Sequence, residues 1–89
     1  MTETTFRVIG FGKTEYGFFN QPRFVLTLGN AMVVYREFES DPEFDGAVLI
    51  AVRHEDWMVI KEFGTENVSV VYGPLGNFKV ERASEIEFV

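Results

Sequence analysis

Eighty-nine residues with fourteen acids, eight bases and a net charge of −6 make room for one domain, spanning residues 1–89. The bases are scattered along the chain and never adjacent, which argues against direct nucleic-acid binding and against an anionic membrane surface, since both need clustered positive charge. Cysteine is absent, and that excludes disulfides, thiolate zinc sites and cysteine nucleophiles.

Ten Phe, three Tyr and one Trp provide for a packed core, since an aromatic side chain buries roughly 150–250 Å². Small secreted domains usually rely on disulfides, so the composition points to a cytoplasmic location. The segment Met1–Arg7 is polar and has no apolar signal region. No run of about 18 uninterrupted apolar residues occurs, so no span of a bilayer is expected.

In chain order, Thr5–Phe11 is β-rich and ends at Gly10 and Gly12. Tyr16–Phe19 is a short aromatic run closed by Asn20-Gln21-Pro22. Its neighbouring aromatics cannot all face inward on a strand, so at least one is expected to be exposed or at a subunit contact. Arg23–Leu28 sets Phe24, Leu26 and Leu28 on one face. Gly29-Asn30 has the composition of a two-residue hairpin loop, with Ala31–Glu39 as the returning arm.

The middle of the chain supports two readings. Ser40-Asp41-Pro42-Glu43 has the order of a helix start, and Glu55–Phe63 before Gly64 fits a short helix with a glycine stop. Ala47–Val52, by contrast, is apolar on every face and β-branched, as in a buried strand, and Trp57–Phe63 fits a returning arm after a His54-Glu55-Asp56 turn. Val68–Tyr72 and Phe78–Arg82 flank the loop Gly73-Pro74-Leu75-Gly76-Asn77 as a second hairpin. Ile86 and Phe88, alternating with Glu85 and Glu87, resemble a short edge strand guarded by acids. The expected fold is mainly β: a small antiparallel meander forming a barrel or a two-layer sheet. The alternative is α+β with one short helix between residues 40 and 64.

Chemistry-bearing motifs are sparse. His54 is the sole histidine and stands among Arg53, Glu55 and Asp56, as in a solvated turn. Gly10-Phe11-Gly12-Lys13-Thr14 resembles the end of a phosphate loop but lacks the upstream glycine and the following helix. The clearest spacing is Glu37, Glu39, Asp41, Glu43 and Asp45, five acids at alternate positions. On an extended chain they would share one side and recur about every 6.6 Å, near the spacing of nucleic-acid phosphates.

Asp41, Glu43, Asp45 and Gly46 also fall at the first, third, fifth and sixth places of a calcium loop. Val52 stands at the twelfth place, where the bidentate Glu belongs, so neither a metal nor a cofactor is expected. A row of acids on one edge is the wrong geometry for acid–base hydrolysis, and no enzymatic activity is expected.

The function these features point to is a small acidic protein-binding domain. In its concrete form it is an inhibitor or immunity-type protein that engages a basic, nucleic-acid-binding protein through the acidic stripe. Tyr35, Phe38 and Phe44 would be the aromatic anchors of that contact. Two alternatives stand beside it: a structural β module that self-assembles as a homo-oligomer through strand edges and the Tyr16–Phe19 aromatics, and a small-ligand or calcium-binding module.

Overall fold

The computed structural model describes residues 3–54, 56–73 and 77–82. Among these residues six strands and one helix follow in the order β1 (Thr5–Thr14), β2 (Gly17–Val25), α1 (Leu28–Ser40), β3 (Gly46–Arg53), β4 (Asp56–Phe63), β5 (Val68–Tyr72) and β6 (Phe78–Arg82). The fold is mainly β, as expected. Strands β2-β1-β3-β4 form one antiparallel sheet in that order, and β5-β6 form a separate hairpin.

β1 occupies the centre because its sequence serves both faces. Phe6 and Val8 point to one side with Ala47 and Leu49 of β3, and the helix covers them with Ala31, Tyr35 and Phe38. Ile9 and Phe11 point to the other side with Val48 and Ile50, and Phe78 and Val80 of the hairpin cover those. β3 lies between β1 and β4 and is therefore apolar on both faces, as the Ala47–Val52 run implies.

The helix replaces the expected Arg23–Glu39 hairpin. β2 runs without a break through Asn20-Gln21-Pro22 to Val25, and the Gly29-Asn30 pair falls in the first turn of α1. Thr27 is the N-cap, its side-chain oxygen accepting from the Asn30 N–H at 3.2 Å. The buried positions Ala31, Tyr35 and Phe38 recur at helical spacing, while Arg36, Glu37 and Glu39 face water. A strand over the same residues would put Arg36 on the face of Phe38, and burying that charge unpaired is costly.

The alternative helix between residues 40 and 64 is not present: this stretch holds the end of α1, a loop, and the β3–β4 hairpin. Ser40-Asp41 ends a helix where the sequence suggested a beginning, with the Asp41 N–H donating to Phe38 O at 3.2 Å. The Val68–Tyr72 and Phe78–Arg82 hairpin has the expected limits. The expected edge strand around Ile86 and Phe88 lies outside the described residues.

Gly10 and Gly12 do not end β1. They let the helix and the following loop approach the sheet. A Cβ on Gly10 would stand 2.6 Å from the Phe38 ring, and one on Gly12 would stand 2.7 Å from the Glu43 carbonyl oxygen.

Asn20 of β2 fastens the hairpin to the sheet. Its side-chain amide donates to Val80 O at 2.9 Å and accepts from Val80 N–H at 2.6 Å, so one side chain occupies a rung of the ladder that β6 would otherwise offer to a strand. Val80 is only 1% exposed, so these backbone groups depend on Asn20.

Candidate functional site

The acidic segment does not form a row. Glu37 and Glu39 lie on the last turns of α1, where residues two apart point in widely different directions, and Asp41, Glu43 and Asp45 lie on the loop to β3. Asp41 accepts from the Glu43 N–H at 2.9 Å, and the Asp45 N–H donates to Phe11 O at 2.8 Å, so the segment is built as a turn. Among the described residues no group of three or more acids or histidines is placed to hold a metal ion.

The aromatics expected as partner anchors belong to the interior. Tyr35 is 1% exposed and Phe38 is buried, and Phe44 packs on both Phe38 and Phe19. Burial raises the Tyr35 hydroxyl pKa above its ordinary value, and the Glu39 and Glu62 carboxylates reinforce the shift. Of the Tyr16–Phe19 run, Tyr16 projects from the β1–β2 turn at 92% exposure, while Phe18 packs on Phe11 and Phe19 on Phe44.

Exposed apolar side chains occur from the end of β2 into α1, at Phe24, Leu26, Leu28 and Val33, and along β4, an outer strand of the sheet. Among the described residues no strand pairs with its free edge, and Trp57, Met58 and Ile60 are exposed along it. The opposite outer strand, β2, carries Pro22, which has no N–H to offer a further strand. β4 contains one irregularity: Val59 lies opposite Ile50 and Lys61 opposite Leu49, so Ile60 is an extra residue that bulges.

Beside β4 lies a recess of about 310 Å³ lined by Thr4, Ala51, Arg53, Asp56, Trp57 and Met58. Trp57 is held from the hairpin side by Phe78, 5.2 Å between ring centres, and by Tyr72 at 6.4 Å. His54 occupies the turn that leads into β4, with a left-handed backbone φ of 56°.

A second concavity, of about 420 Å³, opens between β1, β2 and the start of β6. Arg7, Ile9, Pro22, Arg23, Phe24, Asn77 and Phe78 line it, and among the described residues no acid does. The Arg7 guanidinium lies 4.1 Å from the centre of the Phe24 ring, and its Nη1 donates to Thr5 Oγ1 at 3.1 Å and to Phe6 O at 3.3 Å. Burial lowers the Arg7 pKa from its ordinary value.

Comparison with known proteins finds no matching family model, no similar curated protein and no similar solved structure. The geometry therefore carries the functional reading alone.

One signal for these features, that of β4, was present in the sequence. Trp57-Met58-Val59-Ile60 has no polar residue at alternate positions, which is unusual for a strand with one face in water. Arg7 and Phe24 are far apart in sequence, and only the β1–β2 register, which sets them opposite each other, brings them together.

Proposed function

We propose that this domain is a protein-binding module that takes up an extended segment of a partner protein along the outer edge of β4. The observation that carries the reading is the edge of β4, unpaired among the described residues, with Trp57, Met58 and Ile60 exposed on that strand. A peptide adding to a sheet edge gains main-chain hydrogen bonds, and its alternate side chains find pockets beside the edge. The recess lined by Ala51, Trp57 and Met58 suits one apolar side chain of such a segment, with Arg53 and Asp56 at its rim. The Ile60 bulge limits the regular edge to the half of β4 nearest Trp57, so the bound segment is short and the contact transient.

A second reading keeps the acidic segment as the contact and a basic protein as the partner. It is favoured by the position of Glu39 and Glu62 close enough to act together on Tyr35, which joins the exposed end of α1 to the far end of β4 in one negative region. Such a region steers a basic partner over long range.

One experiment separates the two. Proteins are captured from source cells with three baits: the unaltered domain, the Met58→Lys/Ile60→Lys variant, and a variant with Glu37, Glu39, Asp41, Glu43 and Asp45 reversed to Lys. Proteins lost only with the first variant support strand addition at β4. Proteins lost only with the acid reversal support the basic partner and refute strand addition. Equal capture by all three baits refutes both.

A further inference from the structure

We infer that the concavity between β1, β2 and the β5–β6 hairpin is a binding site for an organic carboxylate carried on a flat apolar body. This inference goes beyond the proposed strand addition and uses different residues.

It starts from charge. The chain has fourteen acids and eight bases, yet Arg7 lies in this cleft and, among the described residues, no acid lines it. Arg7 is half-buried there, and among the described residues no carboxylate lies within ion-pair distance of it. A guanidinium withdrawn from water without a counter-charge is held at a cost, and a carboxylate entering the cleft would remove that cost.

Geometry makes the anion specific. A guanidinium has five N–H donors in one plane, of which Arg7 spends two, both on Nη1, on Thr5 and Phe6. The remaining donors on Nε and Nη2 have no protein acceptor among the described residues. The group lies over the Phe24 ring, 4.1 Å from its centre, with Nε and Nη2 left for a carboxylate. Arg23 stands opposite Val8 in the β1–β2 register, so its side chain takes the other face of the sheet, where the Gln21 amide oxygen accepts from Nη2 at 2.6 Å, and Arg7 is the cation of the cleft.

Apart from Asn77 the rest of the lining is apolar: Ile9 and Phe78 are buried, and Pro22 and Phe24 stand exposed at the sides. A volume of about 420 Å³ falls in the range of small-molecule sites, roughly 300–1,000 Å³. Flat apolar walls with one cationic fork fit an aryl or arylalkyl carboxylate better than a compact, strongly hydrated anion such as phosphate.

The test titrates the ¹⁵N- and ¹³C-labelled full chain with phenylacetate, 2-phenylethanol and phenyl phosphate, following the Arg7 Nε–H and the Phe24 and Phe78 ring signals. The expected result is saturable shifts confined to the cleft with phenylacetate, at least about tenfold weaker binding of 2-phenylethanol, and weakening of about tenfold or more in Arg7→Gln. Because Arg7 also supports β1, Arg7→Lys, which keeps the charge but loses the planar fork, is measured alongside. That variant is expected to weaken phenylacetate binding by a smaller factor and leave the spectrum of the fold unchanged. Equal affinity for phenylacetate and 2-phenylethanol, shifts outside the cleft, or tighter binding of phenyl phosphate than of phenylacetate would each overturn the inference. The comparison among the three probes on the unaltered chain stands even where a variant fails to fold.

Discussion

Replacing Asn20 with Ala should loosen the whole face of the sheet that the hairpin covers. The substitution removes two hydrogen bonds at once and leaves the N–H and C=O of Val80 without partners. A buried backbone group left unsatisfied costs about 1–3 kcal/mol. Asn20 itself is half-buried, so water can enter part of the vacated space, and the two losses together should come to about 2–4 kcal/mol. A domain of this length has a total stability of about 4–13 kcal/mol, so the loss is a large share and should lower Tm by roughly 10–20 °C.

Trp57 is the only tryptophan and packs on Phe78 of the hairpin, which makes its fluorescence in guanidinium titrations a direct readout. The Asn20→Asp variant sharpens the test. At neutral pH its carboxylate can still accept from Val80 N–H but faces the Val80 carbonyl with a lone pair. Burial beside that carbonyl raises its pKa, so its stability deficit should shrink as pH falls and the protonated carboxyl donates in place of the amide. A loss of less than about 0.5 kcal/mol for Asn20→Ala, the scale of an ordinary surface change, would refute the role of the amide, as would a pH-independent deficit in Asn20→Asp.

Three further outcomes follow from the structure. Gly10→Ala should cost about 1–3 kcal/mol, because the new methyl meets the Phe38 ring, whereas Gly29→Ala, in open space on α1, should gain about 0.5–1 kcal/mol; chemical denaturation of the pair checks both signs. The raised pKa of Tyr35 gives the neutral hydroxyl a contribution to stability that is fully present below pH about 10 and lost as pH rises through the higher folded value; denaturation midpoints between neutral and strongly alkaline pH should fall less steeply in Tyr35→Phe. By sedimentation at micromolar concentration the isolated domain should be monomeric, and a dimer that Met58→Lys/Ile60→Lys dissolves would make a second copy the occupant of the β4 edge.

The parts of the fold that were legible in the sequence are those where local pattern and tertiary demand agree. Phe78 and Val80 alternate with Lys79 and Glu81, and the strand they form has one covered and one open face. Ala47–Val52 is apolar throughout because both its faces are covered. Residues 31–39 misled because Met32, Val34 and Phe38 satisfy period two while Ala31, Tyr35 and Phe38 satisfy the helical period. The arbiter is the small Ala31, which lies fully buried and which a strand reading gives no weight. The acidic run was visible as composition, but its supposed spacing assumed an extended chain, and the helix cancels it. The arginine cleft was not legible, because it depends on the register between β1 and β2 and on the packing of Phe78 beside them, neither of which any local window contains.

The central place of β1 also sets a schedule for the growing chain. Ile9 and Phe11 are made early, but the residues that cover them, Phe78 and Val80, come about 70 residues later. At a synthesis rate of roughly 5–20 residues per second that interval is about 4–14 s, far longer than a hairpin needs to close. Throughout it, one face of the nascent sheet is greasy and bare, with Phe18 beside it. The domain thus reaches its shielded form only when its last hairpin emerges, and a ribosome that stalls beyond β3 would leave a sticky fragment that chaperones must hold.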